Sequence, residues 1–134
     1  MGKIRSGLII DEPWISLILR GEKTWEMRTN RTRKRERFGL IRKGSGSIVG
    51  LATVVDAVGP LSDSEIAATF DKHRLRLDQI GGWRCPWVLE DVISLDQPIE
   101  YVHSGGVVWV TLDSAASKQA DAIDQLLQRK SGLA

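Results

Sequence analysis

The distribution of apolar and polar residues along the chain predicts several short β-strands. Residues 24–29 alternate polar and apolar with a period of two, which is typical of a strand with one buried face. Residues 48–58 form a longer strand pattern, in which Gly50 predicts a bend. Together with the other apolar runs, these patterns predict strands at residues 6–10, 24–29, 38–42, 48–58, 87–95 and 107–112.

A short helix is predicted between the first two strands, over residues 13–20. Pro13 suits the first position of this helix, and Gly21 suits the position just after its last turn. Residues at the spacing i, i+3 and i+4 lie on one side of a helix. This spacing predicts an apolar stripe made of Trp14, Leu17 and Ile18.

Two further helices are predicted later in the chain. Ser62 and Glu65 have the spacing of a capping box, which begins a helix over residues 62–70. Residues 114–129 carry apolar side chains at helical spacing, so we predict a C-terminal amphipathic helix there. Its apolar stripe could pack on the sheet or on a second subunit. This mixture of strands and helices predicts an α+β fold.

Three charged residues lie close together at the second predicted strand. The alternation places Trp25 and Met27 on one face and Glu26 and Arg28 on the other, with Lys23 just before the strand. An ammonium, a carboxylate and a guanidinium at this spacing can grip a polar ligand. The same residues also fit a solvated strand face, whose ion pairs contribute little to stability.

The residues around this strand match the pattern of a known family. Residues 9–14 end in Pro-Trp at the helix start, and the spacing Gly-x-Lys-x-x-Glu-x-Arg follows, filled here by Gly21, Lys23, Glu26 and Arg28. Further matches lie at residues 59–62, 87–91 and 105–110. This ordered set, which spans nearly the whole chain, resembles the ASCH domain, a member of the PUA-like superfamily.

The resemblance implies a fold and a division of the chain. It implies a PUA-like, mixed and mainly antiparallel β-barrel with short flanking helices, in which Trp25 and Trp109 are buried. Residues 1–113 would form the ASCH domain, and residues 114–134 a C-terminal helix and tail. It also implies a cleft lined by Lys23, Glu26 and Arg28, in a family linked mostly to RNA or modified nucleosides.

Basic residues are concentrated between positions 28 and 43. This segment holds eight bases and one acid, a net charge of +7, and because the whole chain carries +2 the remainder carries −5. Such asymmetry is typical of a surface that binds a polyanion. Residues 30–37 are too polar to pack, so we predict a loop, or a segment that orders on binding.

The main hypothesis is therefore binding of RNA or another single-stranded nucleic acid, with a modified nucleoside as one option. In this hypothesis the arginines contact phosphates, a tryptophan stacks on a base, and Lys23 and Glu26 read its edge. The residues predicted to bind are Trp14, Lys23, Glu26, Arg28, Arg31, Arg33, Lys34, Arg35 and Arg37.

An enzyme of the same fold is the alternative, with Lys23, Glu26 and Arg28 as its catalytic set. Burial and Arg28 would lower the pKa of Lys23, whereas Glu26 would raise it, so the sequence does not give the sign of the shift. A Lys–Glu pair could cleave RNA through attack by the 2′-hydroxyl. Some family members resemble amidohydrolases of N-acetylated cytidine that use a lysine, a threonine and a glutamate, but Glu26 stands here in place of that threonine.

Other chemistry-bearing residues are scattered. His73, His103 and Cys85 lack the spacing of a metal site, and the chain has no P-loop or dinucleotide fingerprint, so we expect no metal or cofactor. Tyr101 and Ser104 are outside candidates for lining the cleft. A third hypothesis, from a different class, is a protein-binding module whose basic loop contacts an acidic partner.

Composition favours a soluble intracellular protein. Cys85 is the only cysteine, which excludes an internal disulfide and fits a reducing cytoplasm. We expect it to be a small buried apolar residue. No apolar run approaches the ~18 residues of a membrane span, and the first residues lack the apolar stretch of a signal peptide. The oligomeric state is left open.

Overall fold

The computed structural model describes residues 3–103 and 105–132. Its strands are β1 (Ser6–Ile10), β2 (Trp25–Arg28), β3 (Arg37–Arg42), β4 (Ser47–Ala57), β5 (Cys85–Glu100) and β6 (Trp109–Thr111). Its helices are α1 (Trp14–Leu19), α2 (Asp63–Ala68), α3 (Phe70–His73), α4 (Leu77–Ile80) and α5 (Ser114–Gly132). Every predicted strand and helix is present, although β5 continues to residue 100 instead of 95 and β6 is shorter than the predicted 107–112.

The strands of the described residues form one mixed sheet in the order β2-β5-β4-β3-β1-β6. β1 and β3 are parallel, with Gly7 opposite Gly39, and the other neighbouring pairs are antiparallel. The sheet curls into a half-barrel with β2 and β6 at its edges. This architecture confirms the predicted α+β, PUA-like fold.

Irregular strand pairing bends the sheet. The β4–β5 ladder shifts register at three places, the first between Ile48 and Gly50, and such bulges increase local twist. A Cβ atom on Gly50 would lie 2.5 Å from Leu19 Cδ2 and 2.8 Å from the Ile93 carbonyl oxygen. Because only glycine fits there, α1 and β5 can pack closely at the bend that the sequence predicted.

Two hydrophobic clusters pack the helices against the sheet. α1 contributes Ile15 and Ile18 to the first cluster, which also holds Phe38 and Trp87. The predicted stripe of α1 is therefore shifted, because Ile15 is fully buried while Trp14 is only half-buried. In the second cluster, α5 packs on the sheet of its own chain through Ala116 and Ala120.

A third cluster covers β2 on the side away from its charged residues. Met27 packs there with Ile66, Leu75 and Ile80, and Trp25 lies against them. α2 begins with the predicted capping box, in which the Glu65 amide donates to Ser62 Oγ at 3.2 Å. Residues 63–80 thus form a short helical cover over the edge strand.

The prediction that Trp25 and Trp109 are buried is wrong. Both are half-buried, because they lie on the edge strands β2 and β6, whereas the buried tryptophan is Trp87 on β5. Lys72 Nζ lies 5.7 Å from the Trp25 ring centroid, where it covers part of the ring. Cys85 is buried, as predicted.

Candidate functional site

A cavity of about 570 Å³ opens beside β2, near the end of β1 and the start of α1. This volume lies within the range of small-ligand sites. The strand register of β2 places Glu26 and Arg28 in its wall. The described residues that line it are Ile9, Ile10, Asp11, Glu12, Trp14, Glu26, Met27, Arg28, Lys43, Gln79 and Trp83.

Glu26 and Arg28 form an ion pair in the wall of this cavity. Arg28 Nε lies 2.9 Å from Glu26 Oε2, and only 6% of Glu26 is exposed. Arg28 also donates through Nη2 to the Ile9 carbonyl oxygen at 3.0 Å, and its guanidinium lies 5.6 Å from the Trp87 ring centroid. These contacts hold the Arg28 side chain in place beside Glu26.

The other carboxylate oxygen of Glu26 has no hydrogen-bond partner among the described residues. A carboxylate oxygen is an acceptor, and this one is not enclosed by protein, so it is open to the cavity. Because Glu26 lines the cavity, this oxygen can accept a hydrogen bond from a bound ligand.

Lys23 is buried, with 1% of the residue exposed, but it is absent from the described lining of the cavity. Its Nζ donates to the His73 carbonyl oxygen at 2.6 Å. Burial lowers the pKa of Lys23 to about 8, an effect that Glu26 opposes and Arg28 reinforces. The sequence grouped Lys23 with the ligand contacts; in the fold it is outside the described lining of the cavity but interacts electrostatically with Glu26 and Arg28, which line it.

His73 is a structural residue of the turn after α3. The Leu75 amide donates to His73 Nδ1 at 3.0 Å, so Nδ1 is the acceptor and Nε2 donates to the Ile66 carbonyl oxygen at 2.8 Å. Burial lowers the pKa of His73, and the nearby Lys23 charge adds to this shift. The neutral imidazole therefore fixes the backbone carbonyl that accepts from Lys23.

Aromatic side chains form part of the cavity wall. Trp14 is half-buried, and Trp83 lines the same space with 48% of the residue exposed. The sequence analysis gave Trp14 a binding role but none to Trp83, Gln79 or Lys43. An available signal was the position of Trp83 directly after a double-glycine turn and outside any strand pattern.

The basic loop, defined here as residues 30–36, is held to the body of the protein. The Trp87 indole N–H donates to the Asn30 carbonyl oxygen at 2.7 Å, and the Trp109 indole N–H donates to Thr32 Oγ1 at 3.2 Å. The two indoles are stacked, with centroids 5.4 Å apart, and Lys34 Nζ lies 5.6 Å from the Trp109 centroid. The predicted loop is present, since no helix or strand covers residues 30–36, and tryptophans outside the segment anchor it although its own side chains are polar.

The basic loop also lines a second depression of about 630 Å³, whose described lining is Arg31, Thr32, Arg33, Arg35 and Ala57. Arg31 and Arg33 are exposed, and neither pairs with a carboxylate within the described part of the chain. Arg35 Nη1 donates to the carbonyl oxygens of Thr32 and Lys34. We call this second depression, lined by Arg31, Arg33 and Arg35, the arginine depression.

Arg37 is engaged elsewhere, although the sequence analysis grouped it with the phosphate contacts. Its guanidinium lies 3.0 Å from Asp124 Oδ1 on α5, and Nη1 donates to Thr53 Oγ1 at 3.1 Å and to the Asp91 carbonyl oxygen at 2.6 Å. Only 11% of its side chain is exposed. We therefore leave Arg37 out of the candidate site.

Tyr101, an outside candidate, is not in the described lining of either depression. Tyr101 packs against the second hydrophobic cluster, where burial raises its pKa. His103 is exposed, and Ser104 lies outside the described residues. Among the described residues, no three side chains of His, Cys, Asp or Glu come together as a metal site requires.

The match to a family model settles which family this fold represents, since the model of the ASCH domain covers residues 8–100. The chain belongs to the ASCH domain family. The matched region ends at the last residue of β5 and includes Glu26, Arg28 and the basic loop, but not β6 or α5. No curated protein matches the chain in sequence.

Solved ASCH structures share this fold at low sequence identity. The chain resembles the crystal structure of ASCH from Zymomonas mobilis with a TM-score of 0.66 and 14% identity, over 86% of this chain and 92% of that one. A tyrosine-to-phenylalanine variant of that protein matches with a TM-score of 0.65 and 15% identity, over 86% of this chain and 94% of the variant. A serine-to-alanine variant matches with a TM-score of 0.60 and 16% identity, over 91% of this chain and 99% of the variant.

The helices of the described residues show no membrane span. None of those within the described residues combines the length and the apolar character that a bilayer crossing requires.

Proposed function

We propose that this ASCH protein binds single-stranded nucleic acid, with RNA as the preferred ligand, by holding a base in the cavity beside β2. The observation that carries the proposal is the Glu26 carboxylate in the cavity wall, which holds Arg28 through one oxygen and has no donor among the described residues for the other. Membership of the ASCH family, which is linked mostly to RNA, supports this choice of ligand.

The cavity offers the contacts that a base requires. A glutamate oxygen accepts hydrogen bonds from the amino or imino groups at a base edge, such as the cytosine amino group. Trp14 and Trp83 offer aromatic faces in the same cavity, and base–aromatic stacking contributes about 1–3 kcal/mol per base. Arg31, Arg33, Lys34 and Arg35 supply positive charge for phosphates nearby.

Glu26→Gln tests the base contact. The variant preserves shape but removes the charge and replaces one acceptor oxygen by a donor, so we expect roughly 10- to 100-fold weaker binding of a short single-stranded RNA. The measurement is fluorescence anisotropy of a labelled oligonucleotide at low salt. The matched control is Glu22→Gln, since Glu22 is exposed and pairs with Arg20 away from the cavity. Equal affinities for Glu26→Gln and wild type would refute the cavity as the binding site.

A ribonuclease or N-acylcytidine amidohydrolase centred on Lys23 is the second candidate. The observation that favours it is the burial of Lys23, which lowers its pKa to about 8 and leaves a fraction of the amine neutral near neutral pH. Glu26 and Arg28 lie close enough to influence that charge.

Single-turnover assays on labelled RNA, and on an N-acetylated cytidine, test this candidate. If Lys23 is the base, the rate should rise with pH through about 8, and Lys23→Ala and Lys23→Arg should both be inactive. A guanidinium cannot deprotonate near neutral pH, so arginine keeps the charge without the chemistry. Activity that survives Lys23→Ala would belong to another site or to a contaminant, and the absence of activity in wild type would leave binding alone.

A further inference from the structure

Charge is distributed unequally between the cavity and the arginine depression. The acids that line the cavity each have a basic neighbour: Glu26 pairs with Arg28, Glu12 with Arg42, and Asp11 Oδ2 lies 3.8 Å from Lys43 Nζ. Hydrogen bonds and ion pairs thus already occupy the cations at the cavity. A phosphate placed there would have to displace a protein carboxylate from its partner, at the cost of leaving a charge unpaired.

The arginine depression has the opposite character. Arg31 and Arg33 lack carboxylate partners among the described residues, and Arg35 lies no closer than 3.8 Å to Asp56. Thr32 adds a hydroxyl to the same lining. Arg31 and Arg33 can therefore neutralise phosphates without breaking an ion pair, whereas Arg35 would exchange its contact with Asp56. The described lining of the depression holds no aromatic face for a base.

A chain of stacked groups connects the two features. The Arg28 guanidinium lies 5.6 Å from the Trp87 centroid, the Trp87 and Trp109 centroids are 5.4 Å apart, and Lys34 Nζ lies 5.6 Å from Trp109. The indole N–H groups of both tryptophans also hold the basic loop. These contacts hold the basic loop beside the wall of the cavity. Arg28, which lines the cavity, and Arg31, which lines the depression, are three residues apart in the chain, so we expect a few nucleotides of one strand to reach both.

We propose that the cavity and the arginine depression form one composite site whose ligand is an oligonucleotide strand rather than a free nucleoside or mononucleotide. This inference rests on the proposed function and narrows its ligand class. A base enters the cavity while phosphates one or more nucleotides away occupy the depression. Because the strand links the two contacts, the second forms at a high effective concentration and affinity rises by a large factor.

The test compares ligand lengths in two proteins. Binding of a nucleoside, its mononucleotide, and single strands of increasing length is measured at low salt by calorimetry and anisotropy, for wild type and for the double variant Arg31→Ala/Arg33→Ala. We expect the oligonucleotide to bind wild type at least about tenfold more tightly than the nucleoside. In the double variant this ratio should fall to within about threefold, with an unchanged circular dichroism spectrum.

Further arms separate the proposal from simpler explanations. Glu26→Gln should weaken the nucleoside and the oligonucleotide by the same factor, and an abasic strand of equal length should bind wild type more weakly than the base-containing strand. The composite site is overturned if the nucleoside binds as tightly as the strand, if Glu26→Gln leaves strand binding unchanged, or if polyglutamate competes as well as RNA. Failure of every nucleoside and strand to bind would instead refute the proposed function itself.

Discussion

At the scale of single residues, Lys23 shows how the fold sets the chemistry of a side chain. The sequence left the sign of its pKa shift open, because Glu26 and Arg28 act in opposite directions. Burial decides the question, since the desolvation of the ammonium outweighs the nearby carboxylate. The hydrogen bond that Lys23 Nζ donates to the His73 carbonyl oxygen stabilises the charged form of the lysine.

This shift predicts a pH dependence of stability. The pKa of Lys23 falls from 10.5 to about 8 on folding, so between these values the unfolded chain binds a proton that the folded protein does not. Stability should therefore rise as the pH increases from about 8 towards 10.5, and the cost of the buried charge, about 3 kcal/mol, is fully present below 8.

Denaturant unfolding of wild type and Lys23→Met between pH 7 and 9.5 measures this effect. Lys23→Met keeps the length of the side chain without its charge, so its stability should lack the rise that wild type shows above pH 8. His103→Gln, at an exposed position, serves as the control for the procedure. Parallel pH profiles for wild type and Lys23→Met would contradict the assigned shift.

At the scale of secondary-structure elements, α5 is tied to the sheet by polar contacts as well as by its apolar stripe. Asp121 Oδ1 accepts from the Ile4 amide at 2.6 Å, and Ser117 Oγ donates to the Ile4 carbonyl oxygen. Asp124 pairs with Arg37 at the start of β3, directly after the basic loop. A helix outside the region that the family model matches thus helps to fix the strand that follows this loop.

Asp124→Ala should lower the free energy of unfolding more than a substitution on a helix surface usually does. It leaves the Arg37 guanidinium, whose side chain is 11% exposed, without its carboxylate, and breaking such a buried pair costs about 3 kcal/mol. Asp78→Ala is the matched control, because the Arg76–Asp78 pair is largely exposed and contributes less than about 1 kcal/mol. Urea unfolding of both variants gives the comparison; equal losses would mean that the Arg37 pair contributes no more than a surface pair.

At the scale of the whole molecule, charge asymmetry and the curled sheet act together. The segment between residues 28 and 43 carries a net charge of +7, whereas the remainder of the chain carries −5. The fold brings three arginines of this segment, Arg31, Arg33 and Arg35, into the lining of one depression. The charges outside this segment repel a polyanion, so the asymmetry favours binding in one orientation.

The salt dependence of RNA binding tests this distribution. Each phosphate neutralised on a single strand contributes about −0.7 to the slope of log affinity against log salt. Replacing Arg31, Arg33 and Arg35 by alanine should therefore make the slope shallower by about 2. Replacing Lys3, Lys118 and Lys130, which are exposed outside the basic segment, removes the same charge and should leave the slope nearly unchanged. Similar changes of the salt slope in both triple variants would show that net charge, and not the arginine depression, determines the affinity for RNA.

Much of the fold could be predicted from local patterns. Period-two alternation marked β2, and the capping box marked the start of α2, because each signal depends on residues a few positions apart. The face of α1 was misjudged, since Ile15 rather than Trp14 points into the core. Helical spacing defines a stripe, but the sheet beneath the helix decides which of two overlapping stripes is buried.

The sequence by itself determined the strands and helices, the ASCH pattern around Glu26 and Arg28, and the concentration of positive charge after β2. Only the tertiary structure decided which cations are paired and how the basic loop is held, because the partners lie far apart in the chain. Asp124, which pairs with Arg37, is 87 residues from it, and Trp109, which anchors the loop at Thr32, is 77 residues from that threonine. It also buried Lys23 beneath a carbonyl 50 residues away. Local patterns report the neighbours of a residue along the chain, whereas burial, ion pairing and pKa depend on neighbours that only the folded sheet brings together.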